Sequence, residues 1–372
     1  MIGYFIFLFI IIFLILFAEY TRTKGFEKLS VKREVLKSEV MEGEKFNITI
    51  VVENNKWLPI SFLLLKEVIP SDLGFLEDDD AQFTKEDAIY HVSRLNVLWY
   101  ERLRRSYEVK AKKRGAYLIK DIRVTIGDYF GFLTKDEIYE DYIELLVYPK
   151  LVDVERVGFE TTNLYGDNVI KRWIHKDPLY IKGIREYTVE DRMKDIHWKS
   201  SLKMNKLMVK DYDYTSELEF MIILNVQCGD PYWYSIDEKA VETGVKLASS
   251  IALKTTKEGI PTGMWTNAHV VAYNGEGKGE VAPSVNSFKS ILELCARIDY
   301  SPKVTFEQML LDKAKHFNKN STYIIITSFL NDESVNVLKK LKRSGFTIKL
   351  IDISENSSVP AIDGIEKASF KL

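Results

Sequence analysis

Residues 2–18 form an uninterrupted apolar run at the start of the chain, with no charged side chain among its 17 positions. As an α-helix rising about 1.5 Å per residue, the run spans roughly 25 Å, close to the hydrocarbon thickness of a bilayer. No Lys or Arg precedes it, and the LFAEYT sequence at its end is a poor signal-peptidase site. The pattern therefore predicts an uncleaved transmembrane anchor over residues 1–20.

Basic residues follow this run and set the expected orientation. They are Arg22, Lys24, Lys28, Lys32 and Arg33. Positive charge beside a membrane span favours the cytoplasmic side. We therefore expect a single-pass protein of the cell membrane whose bulk is cytoplasmic.

Short alternating segments dominate residues 28–150 and predict an all-β domain. The candidate strands are 46–53, 60–68, 89–98, 106–113, 117–126 and 142–148. Turn signals such as Asn54-Asn55 and Arg114-Gly115 separate them. Six or seven short strands without a convincing helix are typical of an immunoglobulin-like β-sandwich, although the Cys…Trp…Cys pattern of antibody domains is lacking.

A basic stripe lies within this domain and has two interpretations. Its members are Arg102, Arg104, Arg105, Lys110, Lys112, Lys113 and Arg114. Charge on one strand is typical of an exposed sheet edge that is protected from aggregation. The alternative is contact with an anionic membrane surface or an acidic partner.

The pattern changes over residues 216–372, where apolar strands alternate with amphipathic helices. Strands are predicted at 219–226, 260–267, 270–273, 322–328 and 346–353, and helices at 235–258, 285–297, 305–317 and 332–344. Gly259 is expected to follow the end of the first helix, and Asp332 to cap the start of the last. Strands that are apolar on both faces predict a mostly parallel, doubly wound α/β sheet.

Ligands of such a sheet bind beyond the carboxyl ends of its strands. Here those positions hold Asn225, Gln227, Cys228 and Gly229 after one strand, and Ser328, Phe329 and Asn331 after another. Carboxylates, which hard cations prefer, come only at Asp230 and Asp332. The pattern gives little support to a metal site at this edge.

Composition and motifs exclude several classes of function. The net charge of −2 argues against a general nucleic-acid binder. The two cysteines, Cys228 and Cys295, form no CxxC pair, and the chain has no P-loop, GxSxG or HExxH motif. The glycine-rich stretch 275–279 is best explained as a hairpin or surface loop. No cofactor is expected.

The stretch 180–212, which joins the two regions, is crowded with charged and aromatic residues. We expect Arg185 and Asp191 to form a charge-assisted pair with Trp198 packed beneath it. Asp191, Asp195 and His197 could alternatively form a metal-dependent hydrolase site, with His175 brought near them by the fold. Residues 151–215 are predicted to be a linker that carries this segment.

Several stretches resemble bacterial and archaeal membrane proteins that carry the domain of unknown function DUF58. The resemblance includes EVMEGEKFNITIVVENN, KRGAY and GDYFGFL in the first region. In the joining stretch, Arg185, Tyr187, Asp191, Ile196 and Trp198 fit the pattern R-x-Y-x-x-G-D-x-x-R-x-I-x-W. Two positions depart from that pattern, since Glu190 replaces the usual Gly and Lys194 replaces the usual Arg.

The resemblance implies a von Willebrand factor A-like fold for residues 216–372 and a partnership with a MoxR-type AAA+ ATPase. It also implies a D-x-S-x-S metal motif, but residues 225–229 read NVQCG, so metal-dependent ligand capture is not expected. The prediction is a membrane-anchored, non-enzymatic adaptor or scaffold. Its expected interaction residues are Arg185, Tyr187, Asp191, Trp198, Lys199 and Lys203.

Overall fold

The computed structural model describes residues 2–75, 81–85, 88–128, 133–154, 181–188, 191–212, 219–273 and 275–371. The chain divides into two compact units, Met1–Lys150 with Val271–Glu276, and Leu151–Val270 with Gly277–Leu372. The described part of the predicted linker is grouped with the second unit. His175 of the alternative hydrolase site lies outside the described residues.

Helix α1, Ile2–Lys24, opens the first unit. It contains the predicted apolar run and continues past it through Arg22, whose guanidinium pairs with Glu19 at 2.7 Å. Within the described parts of the chain, α1 is the helix that is long and apolar enough to cross a membrane, over Tyr4–Lys24. Its apolar side chains are exposed in the isolated chain, which is compatible with a membrane span.

The described residues between 2 and 150 contain twelve strands, where the sequence predicts six or seven. These are β1 Leu29–Val35, β2 Glu39–Met41, β3 Lys45–Asn54, β4 Ile60–Pro70, β5 Leu73–Phe75, β6 Ala81–Lys85, β7 Ala88–Val97, β8 Arg102–Ala111, β9 Gly115–Ile119, β10 Ile122–Gly127, β11 Thr134–Tyr139 and β12 Ile143–Tyr148.

These strands form sheets of order β1-β3-β8-β5, β11-β10-β4-β7-β6 and β2-β12-β9. Strands from all three sheets contribute to one apolar core that includes Ile48, Leu63, Val109, Ile122 and Val147. The pairing is antiparallel except between β2 and β12. The predicted β-sandwich is therefore confirmed as an architecture.

The predicted strand 117–126 is wrong in one respect, because it divides into β9 and β10. Strand β9 pairs with β12, whereas β10 pairs with β4 and β11 in another sheet. The polar residues Lys120 and Asp121 lie between the two strands. They allow the chain to cross from one sheet to another at this point.

Strand β8 carries the first part of the basic stripe. It pairs with β3 along its length, whereas β5 covers only Val109–Ala111 on the other side. Among the described strands, the Arg102–Glu108 part of β8 is thus an open edge, as the charge pattern predicts. Arg102 pairs with Glu53 at 2.9 Å, and Arg104 pairs with Glu34.

A cluster of ionisable side chains lies inside the sandwich. Glu67 is fully buried and accepts hydrogen bonds from Arg33 Nε at 2.9 Å and from the Tyr107 hydroxyl at 2.9 Å. His91 Nδ1 lies 3.4 Å from the same carboxylate. Burial alone raises the pKa of Glu67, but His91, Arg33 and Tyr107 outweigh it and hold the pKa below its usual value.

The second unit is built on a six-stranded sheet. Its strands are β15 Glu219–Leu224, β16 Thr262–Thr266, β19 Glu280–Ser284, β21 Ser321–Thr327, β22 Thr347–Asp352 and β23 Glu366–Ser369. Their order is β19-β16-β15-β21-β22-β23, and all pairs are parallel except β16 with β19. A smaller sheet contains β17 Ala268–Ala272, β18 Gly275–Glu276 and β20 Ile298–Pro302.

Helices cover both faces of the large sheet, which confirms the doubly wound prediction. They are α3 Glu238–Lys257, α4 Phe288–Arg297, α5 Phe306–Lys313 and α6 Asp332–Arg343. Ile222 packs in the cluster that contains α3 and α4, and the adjacent Ile223 packs in the cluster that contains α5 and α6. This alternation explains why the strands are apolar throughout.

The ends of two helices test the predicted caps. Gly259 has φ +78° just after α3, as expected of a residue that follows a helix end. The prediction for Asp332 is wrong, because the cap of α6 is Asn331, whose side chain accepts from Ser334 N at 2.8 Å. Asp332 instead occupies the first turn, where the positive end of the helix dipole stabilises its negative charge.

Candidate functional site

The joining stretch folds as a two-stranded ribbon with a short helix between its strands. Strand β13, Ile181–Glu186, pairs with β14, Met208–Tyr212. A 3₁₀ turn, Met193–Asp195, and helix α2, Trp198–Met204, lie between them. Ile196 also forms a bridge with Val209, and both side chains are buried.

The predicted pair between Arg185 and Asp191 is confirmed, and it is bidentate. The guanidinium donates to the two carboxylate oxygens at 2.7 and 2.5 Å. Thr188 donates to Asp191 Oδ2 through its backbone N–H at 2.9 Å and its hydroxyl at 2.8 Å. These donors, the Arg185 guanidinium first among them, hold the pKa of Asp191 well below its usual range. The pair fixes the loop that leaves β13.

Trp198 does not pack beneath this pair, so that part of the prediction is wrong. It is the first residue of α2, and it is 62% exposed. The side of α2 that faces inward carries Ser201, and hydrogen bonds of the Ser201 hydroxyl fix this orientation. This hydroxyl accepts from Met208 N at 2.9 Å and donates to the backbone oxygen of His197 at 3.1 Å.

The exposed surface of α2 carries apolar and basic side chains together. Trp198 and Leu202 are one helical turn apart, and Leu202 is 84% exposed. Lys199 and Lys203 are also one turn apart and exposed beside them. We call these four residues the α2 face. Tyr187, by contrast, is half-buried, and its N–H donates to the Leu207 oxygen at 2.9 Å within the ribbon.

Each of the three described residues of the alternative hydrolase site has a structural contact of its own. His197 caps α2, with Nδ1 accepting from Ser200 N at 3.1 Å. Asp191 is paired with Arg185, and Asp195 is buried in the 3₁₀ turn. Among the residues with described positions, no group of three His, Cys, Asp or Glu side chains could hold a metal ion.

Where β15, β16 and β21 end, at the carboxyl edge of the large sheet, amide and hydroxyl side chains form a hydrogen-bond network. Asn225 donates to Thr327 Oγ1 at 2.9 Å and to the Phe329 oxygen at 3.0 Å, and its own Oδ1 accepts from Asn267 Nδ2 at 2.9 Å. Gln227 Oε1 accepts from Phe306 N at 3.0 Å. Its Nε2 donates to Asp230 Oδ1 at 3.0 Å, so amides hold the place where strand order reverses, with one carboxylate beside them.

Two features near this edge were not foreseen in the sequence. Asn267 could have been identified, because it ends a predicted strand at the same edge. An aromatic loop, Tyr232-Trp233-Tyr234, follows β15, and both Trp233 and Tyr234 are exposed. Consecutive aromatic residues after a buried strand were the available signal.

Comparison with known proteins relates the ribbon and the sheet to one family. The family model described as "Protein of unknown function DUF58" matches residues 183–363. The chain is 22% identical over 236 residues to the uncharacterized protein YeaD of Bacillus subtilis (strain 168), covering 62% of this chain and 54% of that protein. The chain thus spans about half the length of this curated relative.

Among solved structures, the chain is similar to small β-domains. A CARDB domain from Pyrococcus furiosus is 11% identical and covers 32% of this chain and 91% of its own, with a TM-score of 0.22. A cohesin module from a Clostridium perfringens glycoside hydrolase is 15% identical and covers 32% and 96%, with a TM-score of 0.23.

Proposed function

We propose that this protein is a membrane-anchored, non-enzymatic adaptor that binds a protein partner through the α2 face. The exposure of Trp198 and Leu202 beside two lysines is the observation that carries this proposal. Exposed aromatic residues rimmed by charge are typical of interaction surfaces. The Arg185–Asp191 pair supplies a rigid support for this surface, which limits the entropy lost on binding.

The doubly wound sheet is proposed to be a von Willebrand factor A-like recognition domain. The order of its strands and its antiparallel edge strand β19 are compatible with that fold. At its carboxyl edge, the amides of Asn225, Gln227 and Asn267 bind one another, the backbone and Asp230. Recognition at this edge would therefore depend on shape, hydrogen bonds and the aromatic loop 232–234.

A MoxR-type AAA+ ATPase is the proposed partner. The resemblance to DUF58 proteins supports this choice, and so does the charge of the α2 face, which suits an acidic surface. The anchor α1 would hold the adaptor at the membrane, with its bulk in the cytoplasm where such an ATPase works. The role would be protein-complex assembly or envelope maintenance.

Affinity purification of the full-length protein from native membranes tests this proposal. Mass spectrometry should detect an AAA+ ATPase with the wild type and lose it with the double variant W198A/L202A. The double variant V285A/L311A is the control, since it also removes two exposed apolar side chains from the second unit but lies outside the α2 face and the aromatic loop. Equal recovery of the ATPase with W198A/L202A would refute the α2 face as its binding surface. Failure to recover an ATPase with the wild type would refute the ATPase as the partner.

The non-enzymatic part of the proposal needs its own experiment. Purified protein is assayed against esters, phosphoesters and peptides with and without added divalent cations. Turnover that disappears in the Asp195→Asn variant would overturn this part and favour the hydrolase alternative.

A further inference from the structure

Two neighbouring loops of the first unit expose large aromatic side chains to solvent. The loop after β3 contains Trp57, which is 65% exposed. The loop after β7 contains Leu98, Trp99 and Tyr100, and Trp99 and Tyr100 are 61% and 69% exposed. We call these four residues the loop patch. None of them is charged, and all four are more than half exposed.

Hydrogen bonds hold the two loops to each other. The Tyr100 N–H donates to the Lys56 oxygen at 3.1 Å. The Asn54 side chain donates to the backbone oxygens of Leu58 at 2.9 Å and Leu98 at 2.8 Å, which spans both loops. The loop patch is therefore one surface on a fixed scaffold rather than two independent loops.

The same scaffold is attached to the end of helix α1. The buried Lys56 ammonium donates to the Gly25 oxygen at 2.7 Å, just after the last helical residue. The Asn55 N–H donates to the Lys28 oxygen at 3.0 Å. A cation that binds a carbonyl at a helix C-terminus is favoured by the helix dipole. The loops are thus joined to the place where the anchor would leave the bilayer.

Backbone conformation marks the same junction. Tyr100 has φ +53° and Lys28 has φ +51°, both in the left-handed region that residues with side chains rarely adopt. Tyr100 is thus an aromatic residue held in this conformation in the short turn between β7 and β8. Such strain is commonly retained where it positions a side chain for function.

We propose that the loop patch inserts into the interfacial layer of the same bilayer that α1 crosses, so that the first unit lies against the lipid surface. Trp and Tyr favour this layer because they combine an apolar ring with a polar N–H or O–H group. The inference rests on α1 as a membrane span, which is part of the proposed function. Because the patch is uncharged, zwitterionic lipid suffices.

Quenching of tryptophan fluorescence by brominated lipid tests this contact. The full-length protein is placed in nanodiscs of phosphatidylcholine, either unmodified or brominated on the acyl carbons nearest the headgroup. We expect bromine to quench the wild-type emission and the variant W57F/W99F to lose most of that quenching. The matched control W198F/W233F removes two exposed tryptophans of the second unit and should retain it. Circular dichroism of both variants verifies that the fold is unchanged.

Three results would overturn the inference. Bromine would leave the wild-type emission unchanged, W57F/W99F would be quenched as strongly as the wild type, or only the control would lose quenching. Any of these would place the patch against solvent or protein instead. Alkaline carbonate extraction of native membranes separates the two proposals. A protein that stays in the membrane without quenching refutes the patch alone, whereas an extracted protein refutes the anchor and the patch together.

Discussion

Replacing Glu67 by Gln should destabilise the β-sandwich by about 3 kcal/mol. The substitution keeps the size of the side chain but leaves the buried Arg33 guanidinium without its carboxylate. Breaking a buried ion pair by removing one partner typically costs about 3–5 kcal/mol. The lower end of this range applies here, because the Arg33 guanidinium keeps other partners. Asp141 Oδ2 lies 3.9 Å from it, and the backbone oxygens of Asp141 and Lys120 each accept a hydrogen bond from it at 3.3 Å.

Hydrogen exchange of the full-length protein, followed by mass spectrometry, measures this loss in the sandwich alone. Amides of β4 should exchange more than about a hundredfold faster in the variant, since each 1.4 kcal/mol corresponds to a factor of ten. Glu53→Gln breaks the exposed pair with Arg102 and is the matched control, with an expected loss of under about 1 kcal/mol. Adding Arg33→Met to Glu67→Gln should recover part of the stability.

Acid should act in the same direction as the Glu67 substitution. The pKa of Glu67 is lower in the folded state than in the unfolded chain. Its contribution to stability is therefore present above the unfolded pKa, near 4.5, and is lost as pH falls through the folded value. If the β4 amides exchanged at the same rate in the Glu67→Gln and Glu53→Gln variants, the buried cluster would not stabilise the sandwich as argued.

Three further predictions follow from the side-chain contacts. Tyr107→Phe removes the hydroxyl donor to Glu67 and should cost about 1–2 kcal/mol by the same exchange measurement. Burial, and next the charge of Glu67, raise the pKa of Tyr107 in the folded state. The stability that Tyr107 contributes is therefore present below the unfolded pKa of 10 and is lost as pH rises through the folded pKa. Tyr107→Phe should not show this loss of stability at high pH. Asp191→Asn should cost about 1 kcal/mol in exchange protection of β13, because Arg185 is 39% exposed; equal protection would refute a structural pair. Asn225→Asp turns a donor into an acceptor against the Phe329 oxygen and should cost about 2–4 kcal/mol in thermal unfolding, with Mg²⁺ restoring nothing; rescue by Mg²⁺ would reveal a latent metal site.

The large sheet could be predicted because its signal is local. The segments around Ile222 and Ile324 contain consecutive apolar residues, Phe220–Leu224 and Tyr323–Ile326, which is typical of strands covered on both faces. The amphipathic patterns of α3 and α6 supplied the covering helices. These features depend on neighbours in sequence, so the doubly wound arrangement follows from the chain alone.

The edge strands were missed because long-range contacts determine them. Strand β19 contains Pro283 and alternating polar residues, which resemble a loop, and an edge position tolerates proline. Strand β23 has no strand-like composition. Parallel pairing with β22 and the ion pairs Lys349–Glu366 at 2.7 Å and Lys367–Asp352 at 2.8 Å hold it.

Only part of the joining stretch could be predicted from its sequence. Arg185 and Asp191 are opposite charges six residues apart, so a pair across a turn could be predicted. The position of Trp198 could not, because the hydrogen bond between Ser201 and Met208 of β14 decides which side of α2 turns inward, and the apolar pattern of the helix does not reveal it. An aromatic residue is usually buried, and here a small hydroxyl side chain takes that place.

The attachment of Lys56 to the end of α1 has a consequence for sorting between membranes. The uncharged part of α1 is about 25 Å long, somewhat less than an average hydrocarbon core. A span shorter than the hydrocarbon core is accommodated by snorkelling of flanking side chains, by oligomerisation or by thinning of the bilayer, and a folded body fixed at the end of α1 restricts snorkelling there. The bilayer would then have to thin around the protein, which favours thinner membranes and clustering with other short spans.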